Sequence, residues 1–221
     1  MYKEEEMNVS GADLYSGLQK IFPDEKDLTL TERLEAARGP LLSWYRGNKR
    51  DLPWRENQDA YRIWISEIML QQTQVETVKP YYERFINELP TAADLAEAEE
   101  QRVFKLWEGL GYYSRVRNMQ KAAQQICEKY NGIFPNEYEQ LLSLPGIGAY
   151  TAGAVASIAW NKPYAAVDGN VLRLVTRLTA DSREISDTKF KNEITAALQE
   201  IYPVDKCGIF TQSLMELGAV V

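Results

Sequence analysis

Histidine is missing from all 221 residues. That absence excludes Ser-His and Cys-His nucleophile pairs and His-ligated zinc, so any acid–base work falls to carboxylates, tyrosine or lysine. Cysteine is scarce. Cys127 and Cys207 lie far apart without metal-ligand spacing and read as two ordinary thiols of a reduced cytoplasmic protein. No apolar run reaches the ~18 residues of a membrane span, and the N-terminus is acidic where a secretory signal would be basic and then apolar. Positive charge is also short: 25 Lys and Arg stand against 32 Asp and Glu, a net charge of −7. This balance argues against a protein that grips DNA by bulk electrostatics. The deficit is uneven, since residues 1–40 carry five basic and nine acidic side chains. Strand-like alternation is absent as well, which makes the expected fold class all-α.

What is present allows one large domain or two small lobes, with 45% hydrophobic residues to build a core. Residues 1–28 form an acidic, partly ordered extension, with Glu4-Glu5-Glu6 and no sustained period. Thr29 and Glu32 fit a capping box, followed by apolar Leu34, Leu41, Leu42, Trp44 and Tyr45. Gly39-Pro40 is expected to break or kink that helix. The loop Arg50-Asp51-Leu52-Pro53-Trp54-Arg55 reads in two ways. It is a solvated turn over a buried Trp, or Arg50, Trp54 and Arg55 meet an exposed base or a phosphate.

Asp59 to Leu70 has a helical core stripe of Tyr61, Trp64, Ile65 and Ile68, with Asp59 placed to cap it. Glu67 sits among Ile63, Trp64 and Leu70, so its carboxyl is expected to hold its proton longer than a free Glu, as a general acid needs. Gln71-Gln72-Thr73-Gln74 follows as an amide cluster able to donate to and accept from base edges, or simply as a polar helix end. Further helices are expected over 103–110, 122–130, 171–178, 189–201 and 209–220, with the stripe Phe190, Ile194, Leu198 and Ile201 reading as core. Arg115, Arg117 and Lys121 form a basic turn suited to phosphates or to solvent.

The stretch Leu144 to Arg173 organises the rest. Gly146 and Gly148 make a tight turn between two helical runs, and their missing β-carbons let a flat partner reach backbone amides at a helix N-terminus, a site for phosphate. Ala149 to Ala159 is small and apolar. Asp168 then opens the next helix beside Gly169 and Asn170.

Leu144-Pro145-Gly146-Ile147-Gly148 and Val167-Asp168-Gly169-Asn170 resemble the hairpin and the aspartate loop of the helix-hairpin-helix base-excision DNA glycosylases. Within them, Trp64 to Val75 and Gly109-Leu110-Gly111-Tyr112-Tyr113-Ser114-Arg115 are similar to the MutY-type adenine branch, from about Leu42 onward. The resemblance implies a two-lobed fold with a DNA-binding cleft: a hairpin lobe of about 70–165 and a second lobe of 29–69 plus 166–221, in a catalytic domain of 29–221. It implies a duplex-DNA partner with adenine mispaired with 8-oxoguanine or G. The adenine is flipped out and removed hydrolytically.

In that reading Glu67 protonates adenine at N7, and Asp168 stabilises the sugar cation with Asn170 and Tyr150 as supports. Tyr150 stands where bifunctional relatives carry a lysine, which implies a monofunctional enzyme with water as the final nucleophile. Gln72 and Tyr112 would plug the gap, with Thr73 and Leu110 near the widowed base, Arg115 on phosphate and Gln212 beside the adenine. No cofactor or metal is expected within these residues. The resemblance puts a [4Fe-4S] cluster on four cysteines past Val221, ahead of a domain that reads 8-oxoguanine. A monomer in the bacterial cytoplasm or nucleoid completes the expectation. A non-catalytic hairpin module and a sibling acting on mismatched thymine stay open beside it.

Overall fold

The computed structural model describes Asp13 and residues 28–220. The expected acidic extension lies almost wholly outside the described residues. Every regular element among them is helical, as the missing alternation implied. The elements are α1 (Leu30–Asn48), a 3-10 turn (Pro53–Arg55), α2 (Ala60–Leu70), α3 (Val75–Glu88), α4 (Ala92–Glu97), α5 (Glu100–Trp107), α6 (Ser114–Tyr130), α7 (Tyr138–Leu142), α8 (Ala149–Trp160), α9 (Gly169–Thr179), α10 (Thr188–Ile201) and α11 (Cys207–Val220). They fall into two compact units, residues 51–160 and the described residues up to 50 with 161–220.

The boundary differs from the expected one. Residues 51–69 go with the hairpin, not with the other lobe. The cause is α2, in which Tyr61 and every residue from Ile63 to Met69 are buried. A helix buried on nearly all sides needs neighbours on all sides, and α2 finds them in α8, α3 and the 3-10 turn. α8 is itself buried from Thr151 to Ile158. Its small Ala residues and Gly153 let α2 come close.

In the other unit, α1 is capped as its sequence promised. The Thr29 amide donates to Glu32 Oε2 at 2.8 Å and the Glu32 amide donates back to Thr29 Oγ1 at 3.3 Å. Pro40 does not end this helix, which runs unbroken to Asn48. Proline costs the bond to the Ala36 carbonyl and strains the turn, about 3 kcal/mol. Burial of Leu34 and Ala37 before it, and of Leu41, Leu42, Trp44 and Tyr45 after it, offsets that cost. The core they enter is completed by Val171 and Val175 of α9, the Phe190, Ile194, Leu198 stripe of α10, and Phe210, Leu214 and Leu217 of α11.

Candidate active site

Glu67 lies in the last turns of α2, 7% exposed. Tyr150, in the first turn of α8, donates its hydroxyl to Glu67 Oε2 at 2.7 Å. The two are 83 residues apart, and the bond fixes the plane of the carboxyl group. The hairpin that places Tyr150 consists of α7, the turn 143–148 and α8. Gly146 is required there twice over: its φ is +78°, and a Cβ would lie 2.8 Å from the Asn118 Cβ of α6. Gly148 is different. It is exposed and a Cβ there would meet nothing within 4 Å, so the space it leaves opens outward.

In the other unit, Asp168 is the N-cap of α9 and accepts from the Val171 amide at 2.8 Å. Its second oxygen accepts from Asn170 Nδ2 at 2.9 Å, and the side-chain Oδ1 of Asn170 accepts in turn from the Arg173 guanidinium. The Asp168 side chain is half-buried. The backbone of this loop is seated on α11, where a Cβ at Gly218 would stand 2.5 Å from the Asn170 carbonyl oxygen. Gln212, also on α11, accepts the Tyr45 hydroxyl at 2.6 Å.

Among the expected nucleic-acid contacts, the structure sorts outward from inward. Tyr112 is 64% exposed with φ +46°, and Gln72 is exposed with φ +57°. Thr73, half-buried, closes the same turn with its amide on the Leu70 carbonyl at 3.2 Å. Trp54 turns inward, 8% exposed, with its ring edge-on to Tyr82 at 5.4 Å. Leu110 is 6% exposed, so its side chain serves the core of the turn. Arg50 forms a forked pair with Glu216, at 2.5 and 3.0 Å, where Glu216 is only 1% exposed. A buried carboxylate demands such a partner, and this claims the guanidinium expected on DNA. Arg55 is half-buried at the end of the 3-10 turn.

Arg115 is the largest correction. Instead of pointing at solvent, its Nη1 donates to the carbonyls of Ile68 at 2.9 Å, Met69 at 3.3 Å and Gln71 at 2.6 Å. Its Nη2 donates to those of Leu110 at 3.0 Å and Gly111 at 3.4 Å. Burial pulls the guanidinium below its ordinary pKa, while Tyr112 beside it acts the other way. No feature of the local sequence marks the Nη1 bonds, since the carbonyls of Ile68, Met69 and Gln71 come from a helix end more than 40 residues upstream. Gly218 and Tyr45 are further residues that reading the sequence missed, and only α11 reveals them.

The chain belongs to the HhH-GPD superfamily of base excision DNA repair proteins, whose pattern matches residues 65–202 and so includes both Glu67 and Asp168. Within it, the chain is 42% identical over 180 residues to adenine DNA glycosylase of Buchnera aphidicola subsp. Acyrthosiphon pisum (strain APS), covering 81% of this chain and 51% of that protein. It is 45% identical over 195 residues to the adenine DNA glycosylase of Homo sapiens, covering 84% of this chain and 36% of that protein. It therefore spans about half, or less, of these relatives. A thermostable thymine-DNA glycosylase shares the fold at a TM-score of 0.74 and 25% identity, over 93% of this chain and 88% of that one.

Proposed function

We propose that this chain is the catalytic part of a monofunctional adenine DNA glycosylase, acting on duplex DNA in which adenine is mispaired with 8-oxoguanine or G. The observation that carries the reading is the buried Glu67 carboxyl held by Tyr150, on the unit that bears the hairpin. Two relatives named as adenine DNA glycosylases give the base.

The chemistry follows from the substrate. A glycosidic bond inside a duplex is out of reach, so the nucleotide leaves the stack, and exposed Gln72 and Tyr112 occupy the space it vacates. Adenine is a poor anionic leaving group. Glu67 donates a proton to N7, the C–N bond breaks with its electron pair going to adenine, and positive charge appears on the sugar. Asp168, oriented by Asn170 and the Val171 amide, stabilises that charge until water adds at the anomeric carbon and loses a proton. With Tyr150 in place of an amine at the head of α8, the enzyme releases the base and leaves the strand intact. The hairpin turn at Gly146 to Gly148 supplies amides for a backbone phosphate. A duplex substrate places a monomer of this protein with the nucleoid.

A [4Fe-4S] cluster does not fit the described residues. Cys127 and Cys207 are single free thiols, Cys207 bonding through Sγ to the Pro203 carbonyl at 3.0 Å, and no described group of three or more Cys, His, Asp or Glu is gathered for a metal. No step is routed through one.

The test uses the full chain with duplexes carrying A opposite 8-oxoguanine, A opposite G, or T opposite G, each resolved before and after alkali. Alkali-dependent breaks at adenine are expected, and Glu67→Gln lowers their rate by at least ~10²-fold with DNA affinity kept. Breaks only at thymine would hand the site to the activity of the thymine-specific structural relative. Binding without base loss would make it a non-catalytic module.

A further inference from the structure

Gln72 and Tyr112 share a rare property. Both are non-glycine residues at positive φ, +57° and +46°, and both side chains are exposed. Left-handed backbone is strained for an ordinary residue, and persists only where the surroundings over-determine it. The carbonyl of the residue before each of them accepts from one and the same group: Gln71 from Arg115 Nη1 at 2.6 Å and Gly111 from Arg115 Nη2 at 3.4 Å. Leu110, one residue further back, is held by Nη2 as well, and Ile68 and Met69 by Nη1. The guanidinium carbon also lies 5.4 Å from the centre of the Tyr112 ring. Trp107 adds a strut by donating its indole N–H to the Gly111 carbonyl at 2.9 Å.

A planar guanidinium offers donors in fixed directions, whereas an ammonium offers three from one rotating point. Five carbonyls from two turns can be satisfied by the first geometry and not by the second. We infer that Arg115 is a positioning residue that joins the Gln72 turn and the Tyr112 turn into one rigid, two-pronged probe on the surface of the hairpin unit. The inference rests on the proposed duplex-DNA substrate. It assigns to Arg115 a task at the protein's own backbone in place of the phosphate contact that its basic neighbourhood suggested. Charge is incidental to that task, and the fork geometry is what counts.

The experiment is a mutant cycle on the full chain: Arg115→Lys, the pair Gln72→Ala with Tyr112→Ala, and all three together. Each protein is read by single-turnover excision and by fluorescence of 2-aminopurine at the target position, which rises when that base unstacks and needs no catalysis. Small displacements of positioning groups cost up to ~10²-fold, so Arg115→Lys should lose ~10- to 100-fold in excision and most of the fluorescence rise, with duplex affinity changed less than threefold. On the double-alanine background it should add nothing, because the groups it positions are gone. An equal loss on that background, or no loss from Arg115→Lys alone, overturns the inference. If the lysine variant does not fold, Arg115→Gln, with a smaller planar donor, runs the same cycle. Absence of excision by the unaltered chain counts against the enzymatic reading alone, and the fluorescence cycle still decides on Arg115.

Discussion

The two carboxylates are held by opposite means. Asp168 is supported by its own neighbourhood, from Asn170 two residues on and the Val171 amide three residues on, within one turn of the helix that it caps. Glu67 is supported from 83 residues away, by a tyrosine that only the hairpin brings to it. The aspartate loop is thus a local motif set down on α11. The acid is a tertiary construction, dependent on the packing of α2 against α8. One can be damaged without disturbing its surroundings, and the other answers to any change in how two helices meet.

Asp168→Asn is the largest expected effect that exploits this. Asparagine caps a helix about as well as aspartate, so thermal stability should stay within ~0.5 kcal/mol, while loss of the negative charge lowers excision by ~10²- to 10³-fold. A melting point that fell along with activity would mean that the charge also holds the loop, and the local support would be less self-sufficient than described.

Gly218→Ala comes next, since it attacks the aspartate loop from outside. The added methyl would stand 2.5 Å from the Asn170 carbonyl oxygen and 2.7 Å from its carbon, which are backbone atoms with little freedom to move. Overpacking of this kind costs about 1–3 kcal/mol. Chemical denaturation should show that loss together with a fall in excision. Unchanged activity would show that the loop does not need its seat on α11.

Tyr150→Phe is milder. It deletes the hydroxyl bond from the hairpin to the acid, worth about 0.5–1.5 kcal/mol net, and should slow excision ~3- to 10-fold at the pH optimum. A loss as large as that of Asp168→Asn would make the hydroxyl a participant in proton transfer, not an anchor.

The smallest effects compare the two cores. Each unit buries a phenol, Tyr202 in one and Tyr82 in the other, and burial pushes both up to about 12 from an ordinary value of 10.0. A raised folded-state pKa stabilises below the unfolded value. That contribution is complete below pH ~10 and is lost as pH rises through about 12, so alkaline unfolding should set in over this window. The hydroxyls differ. Tyr202 shares a bond of 2.8 Å with Thr211 Oγ1, whereas the Tyr82 hydroxyl has no partner. Tyr202→Phe should therefore cost about 1 kcal/mol, and Tyr82→Phe should be neutral or slightly stabilising, as a two-wavelength thermal melt would show. Equal costs would remove the distinction.

Much was settled by the order of residues alone. The all-helical class, the caps at Thr29, Asp59 and Asp168, the Phe190 to Ile201 stripe and the glycine turn ahead of Tyr150 each depend on residues within about four positions of one another. The physics of a cap or an amphipathic stripe is complete within that distance. Other matters waited for the fold. Pro40 stays inside α1 because burial on both sides outweighs a local cost. Trp54 faces Tyr82, Arg50 goes to Glu216, Tyr150 reaches Glu67, and Arg115 grips the end of α2. A long polar side chain has many reachable directions, and its partner is fixed by where other segments bring their carbonyls and carboxylates. Tertiary packing decides that, and no stretch of neighbouring residues records it.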